Sequence, residues 1–287
     1  MRLLITNDDG IESEGLRVLA VHLAATGHEV VVVAPDRNYS GSGAALGDLR
    51  PDELLDVRRV GLEALPDVEA WALAGPPALC VVAATLGAFG AAPDLVVSGI
   101  NAGLNTGRSI LHSGTVGAAL TAQNFGLSGL AVSVARSNPW QWDTAASLAA
   151  ELLDRLVDGA ERSVLNLNVP AVARSEVQGI RWTHLAPFGA VRATMSARSD
   201  TQVQFELTPS DYHPDEDTDQ GAVDAGWASI CTLVGVAEAW PPDAAPPEPT
   251  PDFDARVAPG ASLHPVHEIP DGSQPHWLRR AHTGTAG

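Results

Sequence analysis

The feature that most constrains this chain is its opening run, Leu3-Leu4-Ile5-Thr6-Asn7-Asp8-Asp9-Gly10. A short continuous apolar stretch reads as a strand buried on both faces, the kind found in parallel sheets. Gly15 to Ala25 follows with helical spacing at Leu16, Leu19 and Leu23, and Gly27 is placed to cap its end. Val30-Val31-Val32-Val33-Ala34 is a second buried strand. Strand, helix and strand make a βαβ unit with a right-handed crossover, so the chain opens as a Rossmann-like α/β sheet. The spaced glycines of a dinucleotide fingerprint are missing from the first turn, which carries two adjacent acids instead.

Those acids set the functional question. Open α/β sheets take ligands beyond the carboxyl ends of their strands, where Asp8 and Asp9 fall. Neighbouring carboxylates repel, and both stay ionised at neutral pH only beside a positive charge. A divalent cation answers that need. Two further strand ends offer oxygen donors. The second strand leads into Pro35-Asp36-Arg37-Asn38-Tyr39-Ser40-Gly41-Ser42-Gly43, and Asp94 to Ser98 leads into Gly99-Ile100-Asn101-Ala102-Gly103. Asp8, Asp9, Ser40 and Asn101 form a hard-oxygen set suited to Mg²⁺, Mn²⁺ or Ca²⁺ more than to zinc. Ser113-Gly114-Thr115, followed by small residues from Val116 to Asn124, reads as a helix N-terminus whose free N–H groups can hold phosphate. Any one of these segments alone would read as a turn or a flexible loop; their recurrence at successive strand ends marks a site.

The rest of the chain continues the alternation. Glu69–Leu73 is a short strand, and Pro77 suits the first turn of a helix running to Gly87. Leu130–Val134 and Ser163–Val169 read as strands, with a helix over Trp142–Val157 striped by Leu148, Leu152 and Leu156. Ile180–Leu207 reads as a β-rich projecting arm. A helix-to-strand unit over Ala222–Leu233 and a short helix over Gly235–Trp240 close the domain. Residues 1–240 are expected to form it. Residues 241–287, rich in proline, carry too little apolar surface to offset their ordering and are expected to be disordered. His112 reads as an ordinary loop histidine, and Trp140 and Trp142 as packing residues.

Composition excludes several functions. The 35 acidic residues outnumber the 17 basic ones, a net charge of −18, which disfavours nucleic acid polymers and anionic membranes. Every basic residue of the 17 is arginine. Without lysine there is no Walker-type phosphate loop and no Schiff-base chemistry. The two cysteines, Cys80 and Cys231, read as small buried side chains. No signal peptide and no membrane-length apolar run is expected, so a cytoplasmic location is.

The ordered motifs Asn7-Asp8-Asp9-Gly10, Ala34-Pro35-Asp36-Arg37-Asn38 with Ser40-Gly41, Val97-Ser98-Gly99-Ile100-Asn101-Ala102-Gly103 and Ser113-Gly114-Thr115-Val116 resemble those of the SurE family of metal-dependent nucleotide phosphatases. Leu165–Pro170 and Asp217-Thr218-Asp219 extend the likeness to about residue 235. The resemblance implies a three-layer α/β/α core with a β-rich projection and a C-terminal segment exchanged in a homodimer or homotetramer. It implies hydrolysis of nucleoside 5′-monophosphates, with 3′-nucleotides or short polyphosphate as further substrates. One Mg²⁺ or Mn²⁺ per subunit would be held by Asp8, Asp9, Ser40 and Asn101, with Asp8, Asp9 and Asn101 in catalytic roles. Ser40, Asn105, Ser113, Gly114 and Thr115 would contact the substrate phosphate. Where the family usually has an acid before the helix near residue 80, this chain has Leu79. Two other readings compete: a haloacid-dehalogenase-type phosphatase, which fits poorly because the acids are adjacent and lysine is missing, and a non-catalytic nucleotide- or metal-binding regulator.

Overall fold

The computed structural model describes residues 1–50, 54–159, 162–187, 191–209 and 213–236. The opening apolar run is a strand, β1 (Arg2–Thr6), followed by helix α1 (Glu14–Ala24) and β2 (Glu29–Pro35). β1 pairs in parallel with β2, as a βαβ unit requires. Ser13 caps α1 by accepting from Leu16 N–H. The helix closes at Ala25, two residues before the expected Gly27, which takes φ +82° just beyond it.

β3 (Val57–Val60) and β4 (Glu69–Leu73) come next, then α2 (Pro77–Thr85) with proline in its first turn. β5 (Leu95–Ala102) is followed by a 3₁₀ turn over Gly107–His112 and by α3 (Gly114–Asn124). β6 (Ser128–Val134), α4 (Trp142–Val157) and β7 (Val164–Val169) continue the alternation. β8 (Ile180–Trp182), α5 (Asp219–Asp224) and β11 (Ala228–Leu233) complete the main body. The arm expected over 180–207 divides. β8 joins the main sheet, while among the described residues β9 (Val191–Arg198) and β10 (Val203–Pro209) pair only with each other, as an antiparallel hairpin.

The main sheet runs β3-β4-β2-β1-β5-β6-β7-β11-β8. Its centre, from β4 to β7, is parallel; β3 and β11 run antiparallel to their neighbours β4 and β7. Side chains of β1 alternate between faces. Leu3 and Ile5 pack with α1 and α4 residues such as Leu16, Leu19, Leu148 and Leu152, while Leu4 packs with Leu79, Val81 and Ala118 of α2 and α3. The result is a three-layer α/β/α core.

Strand order explains where a site can form. The chain lays β2 and β4 to one side of β1, then crosses back to place β5 on the other. The crevice at the carboxyl ends of β1 and β5 is therefore the sheet's switch point, where the connecting loops diverge and leave room for a ligand. β5 also carries a bulge. Ser98 pairs with Ala131 and Asn101 with Ser133, so β5 has one residue more than β6 over that interval.

Among the described residues, no helix is long and apolar enough to cross a membrane. The described residues fall in one compact unit, Met1–Asp243. The tail expected over 241–287, its exchange within an oligomer, and most of the helix expected over Gly235–Trp240 lie outside the described residues.

Candidate functional site

The turn after β1 is closed by Asn7. Its amide oxygen accepts from Gly10 N–H at 3.2 Å, and its amide nitrogen donates to Gly10 O at 3.1 Å and Ser13 Oγ at 2.6 Å. Gly10 holds φ +104°, which side-chain-bearing residues rarely adopt. This small ring fixes Asp8 and Asp9 at the mouth of the crevice.

Asp8 is buried, 3% exposed, and one carboxylate oxygen accepts from Thr115 Oγ1 at 2.6 Å. Its backbone oxygen accepts from Tyr39 N–H at 2.7 Å, which ties the β2 loop to the site. Burial pushes the Asp8 carboxyl above the usual range. The Thr115 hydroxyl and the N–H groups of Thr115 and Gly114 oppose that rise without cancelling it. Asp9 is raised as well, first by burial and then by the charge on Asp8. Its partners are distant: Asn38 Nδ2 at 3.3 Å and Ala102 N–H at 3.5 Å. Two adjacent carboxylates, each resisting ionisation, with capacity left on Asp9, form a donor set that fits a hard divalent cation. Because only two members of the set are acidic, the remaining ligands must be neutral oxygens.

Asn101 sits past the β5 bulge. Its amide nitrogen donates to Gly103 O at 2.7 Å, so Oδ1 is the atom with unspent capacity. Ala102 N–H reaches Asp9, which brings this strand end to the acid pair. Ser40 is exposed and its N–H donates to Asn38 Oδ1 at 2.8 Å; among the described residues no hydrogen bond joins its hydroxyl to either acid. Ser42, two residues on, has a buried hydroxyl without a hydrogen-bond partner. A Cβ added to Gly114 would lie 2.8 Å from that hydroxyl and 2.9 Å from Asp8 Oδ2, so only glycine lets α3 approach this closely. Ser42 lies in the same Ser-Gly-Ser-Gly run as Ser40 and has no local signal of its own.

The N-terminus of α3 differs from the expectation of free donors. Ser113 Oγ accepts from Val116 N–H at 3.2 Å and Ser113 O from Gly117 N–H at 2.9 Å, while the Gly114 and Thr115 N–H groups serve Asp8. This helix end presents its first-turn dipoles to the acid corner itself.

Asn105 lies in a separate polar network. Its N–H donates to Asn168 Oδ1 and its side chain to Ser133 Oγ, both at 2.8 Å, and its carbonyl accepts from Asn166 and Asn168 at 2.9 Å. Gly107 N–H then donates to Asp219 Oδ2 at 2.8 Å. Among the described residues no hydrogen bond links Asn105 to Asp8 or Asp9. Its place is at the root of the loop that leads to α3.

Fold and site together define a three-layer α/β protein with a paired-carboxylate corner at the switch point of its sheet. The chain belongs to the SurE family: the family model "Survival protein SurE" matches residues 3–189. A relative from Chloroflexus aggregans, named 5′-nucleotidase SurE, is 40% identical over 241 residues, covering 80% of this chain and 91% of that protein. One of the same name from Cyanothece sp. is 41% identical over 187 residues, covering 64% of this chain and 67% of that protein. The crystal structure of SurE protein from Aquifex aeolicus superposes with a TM-score of 0.68 at 30% identity, covering 82% of this chain and 93% of that one.

Proposed function

We propose that this chain is a metal-dependent phosphatase that hydrolyses nucleoside 5′-monophosphates. The observation that carries the reading is the Asp8–Asp9 pair, buried at the β1/β5 switch point and faced by the N-terminus of α3. The relatives named 5′-nucleotidase SurE support the substrate class.

In this reading Asp8, Asp9, Asn101 and Ser40 would hold one Mg²⁺ or Mn²⁺. When bound, such an ion offsets charge on the phosphoryl group and makes a nearby water more acidic. The chain's own groups do the rest. Thr115 Oγ1 fixes the orientation of Asp8. Asp9, the less engaged acid, accepts a proton from the attacking water. The Ser113 hydroxyl, whose proton its cap bond does not use, donates to a phosphoryl oxygen, while the Gly114 and Thr115 N–H groups, already turned to Asp8, act on the site as fixed dipoles. The water oxygen ends on phosphorus as the bond to the nucleoside 5′-oxygen breaks; that oxygen takes a proton from solvent, and Asp9 returns the one it accepted to solvent. The acidic surface and the family likeness support a cytoplasmic homo-oligomer that leaves nucleic acid polymers uncut.

The test is phosphate release from AMP and GMP with Mn²⁺. The expected outcome is turnover abolished by chelator and lowered by on the order of 10³-fold in Asp8→Asn, the scale of losing a main electrostatic element of a site. Release that survives Asp8→Asn unchanged overturns the assignment.

A further inference from the structure

A nucleotide phosphatase needs a surface for the base as well as for the phosphate, and none of the residues above supplies one. We infer that Trp140, backed by Trp142, is the platform on which the nucleobase stacks. This inference rests on the nucleotide reading of the site.

The pair stands at the carboxyl edge of the sheet, where α4 begins after β6. The rings stack with centroids 4.8 Å apart and planes 16° from parallel. Trp142 is the inner member. A Cβ added to Gly15 would come within 3.1 Å of its ring and 2.3 Å of Ile100 O, so the α1 N-terminus, the end of β5 and Trp142 meet at one point. Ile100 precedes Asn101, and Gly15 lies in the first turn of the helix that follows the Asp8–Asp9 turn. The loop roots also join, since Gly103 N–H donates to Val134 O at the end of β6 at 3.1 Å. The tryptophan pair is thereby fixed beside the strand ends that carry the candidate ligands.

Trp142 covers one face of Trp140, and Trp140 stays partly exposed. A large ring held rigidly by a second ring loses little entropy when a third stacks on it, and every base offers a π-face. The other aromatic groups near by are engaged. Trp71 and Phe89 meet at a tilt of 39° in the core on the α2 side. Tyr39 has the Arg37 guanidinium 4.8 Å over its ring, and its hydroxyl is drawn to Asp36. Of the two partly exposed rings near that edge, Trp140 is the larger and is braced by another ring, while Tyr39 is paired with an arginine. Both rings also contact the hydrophobic core, so the packing role expected from the sequence holds, with a second role on the outer ring.

The test compares AMP with ribose 5-phosphate, which carries the same phosphate without a base, in the wild type, Trp140→Ala and Trp140→Phe. The expected result is that the ratio of kcat/KM for AMP to that for ribose 5-phosphate falls about tenfold in Trp140→Ala, through KM, and recovers most of that loss in Trp140→Phe. AMP binding without added metal, followed by tryptophan fluorescence, should weaken by a similar factor in Trp140→Ala. A ratio unchanged in Trp140→Ala, with only the melting temperature lowered, overturns the platform. If the wild type cleaves neither ester yet binds AMP through Trp140, the platform stands and the phosphatase reading falls.

Discussion

Asp8 and Asp219 are both buried carboxylates, 3% and 0% exposed, and in both burial lifts the carboxyl above its usual range. They differ in what surrounds them. Asp219 is saturated by backbone: Gly107 N–H at 2.8 Å on one oxygen, Ala186 N–H at 2.9 Å and Gln220 N–H at 2.8 Å on the other. Asp217, two residues before it, is solvent-exposed and faces His184 at 3.8 Å. Asp8 shares its corner with Asp9, whose partners are long and whose charge is repelled. The contrast separates a structural acid from one that requires a ligand: the first has its acceptor capacity filled by the fold, the second leaves capacity and repulsion unresolved.

The largest effect on stability is expected at the saturated acid. Asp219→Ala strips three backbone donors of their acceptor and should cost about 3 kcal/mol, given about 1–3 kcal/mol for each buried group left unpaired. Urea unfolding measures it, and a cost near zero would break the comparison. At the other corner the sign reverses. Asp8 and Asp9 have folded pKa values above the ordinary 3.8, so their favourable contribution is present below that pH and is lost as pH rises through the raised folded values. In chelator, Asp9→Asn should therefore melt higher than the wild type at pH 7, by roughly 3 °C, and the gap should close toward pH 4. Adding Mn²⁺ should raise the wild type and leave Asp9→Asn nearly unmoved. A variant that melts lower at pH 7 would show that the pair is not in conflict. The smallest effect belongs to the helix that faces the corner: Ser113→Ala removes the α3 N-cap and should cost about 1 kcal/mol in the same urea assay.

Legibility in the sequence followed the range of the forces. The strands and helices from β1 to β7 rest on local apolar periodicity, and Leu3, Ile5, Leu16 and Leu19 declare their layer without reference to anything distant. Asp8, Asp9 and Asn101 could be grouped because a parallel sheet brings its strand ends to one edge. Asn105, Asn166, Asn168 and Asp219 fall in motifs that the family likeness marks, but the bonds that tie them into a polar network were not legible, since each joins residues far apart in the chain. That the hydroxyl of Ser42 is buried while Ser40 is exposed turns on how a glycine-rich loop packs against Gly114 of a later helix. The short strand Val57–Val60, mostly exposed, and the 3₁₀ turn over Gly107–His112 have no apolar rhythm to announce them.

The additional residue in β5 between Ser98 and Asn101 has an engineering corollary. A strand with perfect alternation would send position 101 to the opposite side of the pleat. Excising one residue there would restore an uninterrupted ladder and leave the asparagine opposite Ser133, on the face it already holds; the extra residue is thus what lets a three-residue step deliver position 101 to the acids' side.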